Sequence, residues 1–263
     1  MGMKLSEMTW QEIDELDRST VVVVPFGAME QHGLHMPMCT DALVGDSLAS
    51  RLDTACNHRL LVLPMQWLGL STHHMRFPGT ITVSPETFIA MAFDILSSME
   101  KARFRKFLIL NSHGGNVSAL DVVATKCKTS FPESTFLTVT YWNPASADLA
   151  ELRSSPLGGM GHACELETSL VMSERPALVR HEKLAADGAW PLSEYLAKDM
   201  TKGGKASLAT TFDEISPTGA VGDPTTASAE KGERFFRVIV HHLKALTESL
   251  EAGEISQRMP VRH

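Results

Sequence analysis

Two apolar runs, Val-Val-Val-Val at residues 21–24 and Phe-Leu-Ile-Leu at residues 107–110, are each followed closely by a string of carboxylates, imidazoles and amides. The first string is Glu30-Gln31-His32-Gly33-Leu34-His35, closed by Thr40-Asp41. The second is Asn111-Ser112-His113-Gly114-Gly115-Asn116. Short continuous apolar runs of this kind read as strands buried on both faces. The chain therefore places metal-ligating residue types at the ends of two buried strands, which narrows both its fold and its chemistry.

The remaining pattern alternates strand with helix. Thr9-Trp10-Gln11-Glu12 is a capping box opening a short helix. Strands are expected at residues 20–26, 60–65, 105–110 and 135–141. Helices are expected at residues 41–52, with Asp41 as the cap, at 84–102 behind Ser84-Pro85-Glu86, and from Gly114-Gly115 to about residue 131. Alternation of this kind implies parallel strands with helices on both faces, and ligand sites at the carboxyl ends of the strands. Beyond residue 145 the pattern loosens. Residues 152–161 read as a Ser/Pro/Gly-rich loop, 163–173 as a helix, 188–208 as a stretch with few periodic signals, 219–226 as turns, and 227–251 as a long amphipathic helix. No repeat or long linker divides the 263 residues, so one domain over residues 1–263 is expected.

Composition excludes several classes. A net charge of −7 without a Lys/Arg-rich run argues against a nucleic-acid or membrane-surface binder. Cys39, Cys56, Cys127 and Cys164 form no Cys-x-x-Cys pair and read as reduced thiols. The N-terminus lacks an apolar signal core and no run is long enough to span a membrane, so a cytoplasmic protein is expected.

Glu30 and His32 leave the first strand at alternate positions, so both side chains can face one site. Asp41 and His113 arrive from a helix start and from another strand end. Singly, each has a bland reading: a hydrogen-bonded structural His, an Asp that only caps a helix, glycines that relieve a tight turn. Together they supply the oxygen and imidazole donors that a divalent transition metal prefers. A third group, His162-Ala163-Cys164-Glu165-Leu166-Glu167-Thr168-Ser169, places His162 at the mouth of a helix with Glu165 one turn along. A helix start with acidic residues favoured by the macrodipole accounts for this group equally well. Glu167 is open between a structural hydrogen-bonding role and a functional one.

The strings Glu-Gln-His-Gly-x-His-x-Pro-x-x-Thr-Asp, Phe-Pro-Gly-Thr (residues 77–80), Asn-x-His-Gly-Gly-Asn and His-Ala-x-Glu-x-Glu-Thr-Ser together resemble the creatininase family, from Thr9-Trp10 to Lys231-Gly232-Glu233. The resemblance implies a three-layer α/β/α sandwich with a mostly parallel sheet. It also implies a homohexamer, and a site with two divalent metals (zinc, manganese or iron) that hydrolyses C–N bonds. By motif, Glu30 and His113 would hold one metal, His32 the other, and Asp41 would bridge them. His162 would transfer the proton, and Trp142 would line the substrate pocket. Gly114 and Gly115 would leave room for substrate.

Three departures bear on this. Gly115 stands where creatininase has a metal-binding Glu, and Glu165 is taken as the replacement fifth ligand, or else a proton shuttle. Gly158 and Gly161 stand where creatininase has a lid Trp and a Glu, which counts against creatinine as substrate. The loop carrying Ser71, His73 and His74 is shorter; Ser71 and His73 are taken as substrate contacts, with a surface-loop role for the two histidines as the alternative. The reading is hydrolysis of a small cyclic or formyl amide. Creatininase proper, or a non-catalytic binding protein on the same fold, is the alternative.

Overall fold

The computed structural model describes residues 2–191, 193–197 and 199–255. Its elements in chain order are β1 (Met3–Lys4), α1 (Trp10–Glu15), β2 (Val21–Phe26), α2 (Thr40–Ala55), β3 (Leu61–Val62), α3 (Pro85–Lys101), β4 (Lys106–Asn111), α4 (Val117–Ser130), β5 (Thr135–Thr140), α5 (Ser146–Leu152), β6 (Met160–His162), α6 (Glu165–Glu174), α7 (Phe212–Ile215), β7 (Val221–Gly222) and α8 (Ala229–Glu251).

Five strands form one sheet in the order β1-β3-β2-β4-β5, every pair parallel. Side chains alternate faces along a strand, and the two faces build two cores. Val22, Val24, Phe26, Phe107 and Ile109 pack with Phe88, Ala92 and Leu96 of α3 and Leu120 and Val123 of α4. Val21, Val23, Leu108 and Leu110 pack with Leu48 and Leu52 of α2, Leu166 and Leu170 of α6, and Phe235, Ile239 and Leu243 of α8. This is the expected α/β/α sandwich.

Local signals behave as their chemistry dictates. Thr9 and Glu12 close a capping box, and Ser84 accepts from the Thr87 N–H ahead of Pro85. Ser228 caps α8. Two expectations need correction. Asp41 does not cap α2: Cys39 is the N-cap, and Asp41 lies within the first turn. His162 is not at a helix mouth but ends β6, which pairs antiparallel with β7 in a two-stranded ribbon. Both strands are too short to leave a periodic trace. The expectation for residues 188–208 includes Leu192 and Lys198, which lie outside the described residues.

Candidate metal centre

β2 and β4 are neighbours in register, Phe26 opposite Asn111, so the two loops that leave them start side by side. The polar residues of the motifs hold those loops. Asn111 Nδ2 donates to the His113 carbonyl at 2.7 Å, and its Oδ1 accepts from the His113 N–H at 3.1 Å. Asn116 donates to the Gly27 carbonyl and accepts from the Leu70 N–H. Ser112 Oγ donates to the Asp41 carbonyl at 2.7 Å. The side chains of Glu30, His32, Asp41 and His113 are brought together, all buried.

Asp41 stands between the two imidazoles: Oδ1 is 3.2 Å from His32 Nε2 and Oδ2 is 3.1 Å from His113 Nδ1. Glu30 Oε2 lies 3.3 Å from His113 Nε2. One nitrogen of each ring also faces a backbone carbonyl, His32 Nδ1 that of Glu30 (3.2 Å) and His113 Nε2 that of Leu70 (3.0 Å). This fixing of one imidazole nitrogen by a carbonyl leaves the other to bind a metal. Both Glu30 oxygens, His32 Nε2 and Asp41 Oδ2 are buried with no hydrogen-bond partner. Buried polar atoms without partners are costly and rare, and this set is what a cation would satisfy. The donors of Glu30, His32 and Asp41 lie within 4.8 Å of one another, as do those of His32, His162 and Glu167, and those of Glu30, His73 and His113.

The electrostatics have the same origin. Burial pushes the Glu30 carboxyl up to about 7, against the pull of His113. Burial, against the pull of His32, likewise raises Glu167 to about 7. Burial disfavours the charged forms of His32 and His113, but the adjacent carboxylates outweigh it and raise them to about 10 and about 9. Burial works against the Asp41 carboxylate too, yet His32 and His113 hold it well below the usual range. His162 is kept well below the ordinary imidazole value by burial and then by His32.

Glu165 does not come to this site. Its Oε1 accepts from the Ser154 N–H (2.8 Å) and Lys231 Nζ (2.6 Å), and its Oε2 from the Ser155 N–H (2.8 Å). It ties α6 to the preceding loop and to α8. Glu167 faces the site instead, its Oε2 fixed by the Ala163 N–H at 2.6 Å. Two residues on a helix of 3.6 per turn lie about 200° apart, so the two carboxylates cannot share a target. Ala163 holds a φ of 51°, a conformation that side chains disfavour, directly after His162.

Gly115 carries no side chain because a Cβ there would overlap the Leu70 carbonyl oxygen and His113 Nε2; His73 Cε1 is also close. Gly114 has nothing within 4 Å of its Cβ direction and opens onto a cavity of about 780 Å³. His73, His74, His113, His162, Glu167 and Trp142 line the cavity as well. His73 thus belongs to the cavity, with its ring stacked on His113 at 5.8 Å. Ser71, expected to touch substrate, is fully buried and does not line the cavity; its N–H bonds Thr82 Oγ1.

Trp190 and Phe212, which no sequence motif marks, also belong to the cavity. They pack edge to face at 5.6 Å, and Trp190 Nε1 lies where a side chain on Gly161 would sit. Phe212 also packs on His74 at 4.0 Å and on His162 at 4.6 Å. The local pattern of residues 188–212 gives no sign of this packing.

A sequence model of one family, described as creatinine amidohydrolase, matches residues 6–247. The chain belongs to the creatininase family. Family members are metal-dependent amidohydrolases, and this chain is an enzyme of that kind. The mycofactocin precursor peptide peptidase of Mycobacterium tuberculosis (strain ATCC 25618 / H37Rv) is 32% identical over 231 residues, covering 84% of this chain and 82% of the relative. The 3-dehydro-scyllo-inosose hydrolase of Thermotoga maritima is 26% identical, covering 98% and 85%. Among solved structures, a manganese form of creatininase superposes with a TM-score of 0.78 at 24% identity, covering 95% of this chain and 99% of that one. Among the described residues no helix is long and apolar enough to cross a membrane.

Proposed function

We propose that this creatininase-family enzyme hydrolyses the C–N bond of an uncharged amide at two divalent cations. Glu30 and His113 would hold one, His32 and Glu167 the other, with Asp41 between them. The observation that carries this is the group of buried, partnerless donor atoms on Glu30, His32 and Asp41. Carboxylate and imidazole donors without thiolate suit zinc, manganese or iron(II). Such cations supply a nucleophile at neutral pH, lowering the pKa of water from 15.7 to roughly 7, and polarise the scissile carbonyl.

The chain's own groups do the rest. His162 Nε2–H donates to the Gln31 carbonyl at 2.8 Å, which leaves Nδ1 unprotonated and 3.8 Å from Glu30 Oε1. A neutral imidazole so oriented can take up a proton inside the site and pass it to the leaving nitrogen. Trp142, Trp190 and Phe212 give the cavity an aromatic lining, and Gly114 leaves space beside it.

Trp142, Trp190, Ala209 and Phe212 line the cavity beside the histidines. A small cyclic or formyl amide fits this lining. A second reading, a peptide amide, is favoured by the 780 Å³ volume, large for a creatinine-sized ring, and by the peptidase relative. A homohexamer, implied by the family resemblance, is part of this proposal; light scattering at the hexamer mass supports it and a monomer removes it.

The test is His162→Ala with turnover and metal content measured together on formamides, cyclic imides, creatinine and short peptide amides. Turnover by the native enzyme, lost in the variant by at least a hundredfold with metal content unchanged, is the expected result. Undiminished turnover in the variant would overturn the proton-transfer role.

A further inference from the structure

The two residues beside the proposed ligands, Gln31 and His74, are assigned to no metal or substrate in the preceding account. Both are buried. The Gln31 side-chain amide has a fixed orientation: Oε1 accepts from the Gly33 N–H at 2.9 Å, and Nε2 donates to the Gly219 carbonyl at 3.0 Å. One amide hydrogen remains for two neighbours: His162 Nε2 at 3.2 Å, which donates to the Gln31 carbonyl at 2.8 Å and so cannot accept, and His74 Nδ1 at 2.7 Å. Gln31 Nε2 is only a donor, so His74 Nδ1 must accept. A neutral imidazole that accepts at Nδ1 carries its proton on Nε2. That nitrogen is buried, forms no hydrogen bond, and faces Glu30 Oε1, itself without a partner, at 3.1 Å.

The same residue sets a second ring. The Gln31 carbonyl accepts from His162 Nε2–H, so Nδ1 of His162 is the unprotonated nitrogen. One residue therefore imposes opposite faces on two histidines: His74 offers an N–H to the site and His162 offers a lone pair.

We propose that Gln31 is a tautomer-setting residue, and that through it His74 acts as a positioning donor to Glu30 rather than as a metal ligand. His74 could instead be counted with Glu30 and His162 as a ligand group on distance alone; the direction of the Gln31 amide excludes this, because a ligating Nε2 would have to give up the proton that Nδ1 cannot take. The proposal rests on Glu30 being a ligand. Groups oriented in this way around a metal ligand change metal affinity by about 10–100-fold when removed.

The test measures zinc affinity by chelator competition in His74→Phe, His74→Gln and Gln31→Glu, each first shown to fold by circular dichroism. His74→Phe removes the donor, while His74→Gln places an amide N–H near the position of Nε2. Gln31→Glu replaces the donor facing Nδ1 by an acceptor and so reverses the tautomer. The expected result is a loss of 10–100-fold in His74→Phe and Gln31→Glu with His74→Gln within about threefold of the native protein. Equal losses in His74→Phe and His74→Gln would make His74 a ligand and overturn the proposal. Native affinity in His74→Phe would also overturn it. A native protein that binds no zinc would contradict the metal centre itself, a failure distinct from either.

Discussion

Glu165 and Glu167 open the same helix and point to different sides of it: Glu165 meets Lys231 Nζ at 2.6 Å, and Glu167 meets the Ala163 N–H at 2.6 Å beside His32 and His162. Glu167→Gln is expected to lower the metal content towards one equivalent, while Glu165→Gln leaves two. Glu165→Gln should instead cost about 1–3 kcal/mol of stability through weakened charge-assisted hydrogen bonds. Burial raises the Glu165 pKa, but Lys231 and the Ser154 and Ser155 contacts lower it further, so it is depressed overall. Its contribution is present above the unfolded carboxyl pKa, about 4.3, and is lost as pH falls through the folded value. Acid melts of the native protein and Glu165→Gln should therefore converge at low pH. Loss of metal from Glu165→Gln would reverse the assignment.

The raised imidazole values give metal uptake a definite pH dependence. With His32 at about 10 and His113 at about 9, both rings are protonated at neutral pH in the metal-free protein, and a cation must displace those protons. Zinc affinity should rise with pH across the range 7–9. Titration calorimetry in buffers of different ionisation enthalpy should show proton release, and no release would contradict these raised values.

Much of this site was legible in the sequence, and the exceptions have physical causes. Glu30, His32, Asp41 and His113 follow continuous strands or open a long helix, so their positions are set by periodic elements and nearest-neighbour pairing. Glu165 was misassigned because proximity in sequence does not give direction: the difference between residues 165 and 167 is a helical rotation fixed only once the start of α6 is known. His162 ends a strand instead of standing directly at a helix mouth, and a three-residue strand has no period to detect. Trp190 and Phe212 reach the cavity by long-range packing, which leaves no local mark.

Trp190 lines the cavity next to Gly161. Trp190→Ala should raise KM by up to about tenfold, the scale of one lost aromatic contact, with metal content unchanged. An unaltered KM would remove Trp190 from substrate binding.

Gly219 has a φ of 89°, and a Cβ there would overlap Gln31 Oε1. Gly219→Ala should lower Tm by roughly 2–8 °C, from a left-handed penalty of about 1–2 kcal/mol, with displacement of Gln31 adding to it. Thermal denaturation checks this directly; a Tm equal to the native value would mean that the Gln31 amide is not held as described.

The most direct measurement is elemental analysis of the native protein, purified without chelator or histidine tag. Two equivalents of zinc, manganese or iron per chain are predicted, from Glu30 and His113 on one side of Asp41 and His32 and Glu167 on the other. At most one equivalent, even after reconstitution with excess metal, would contradict the two-cation site.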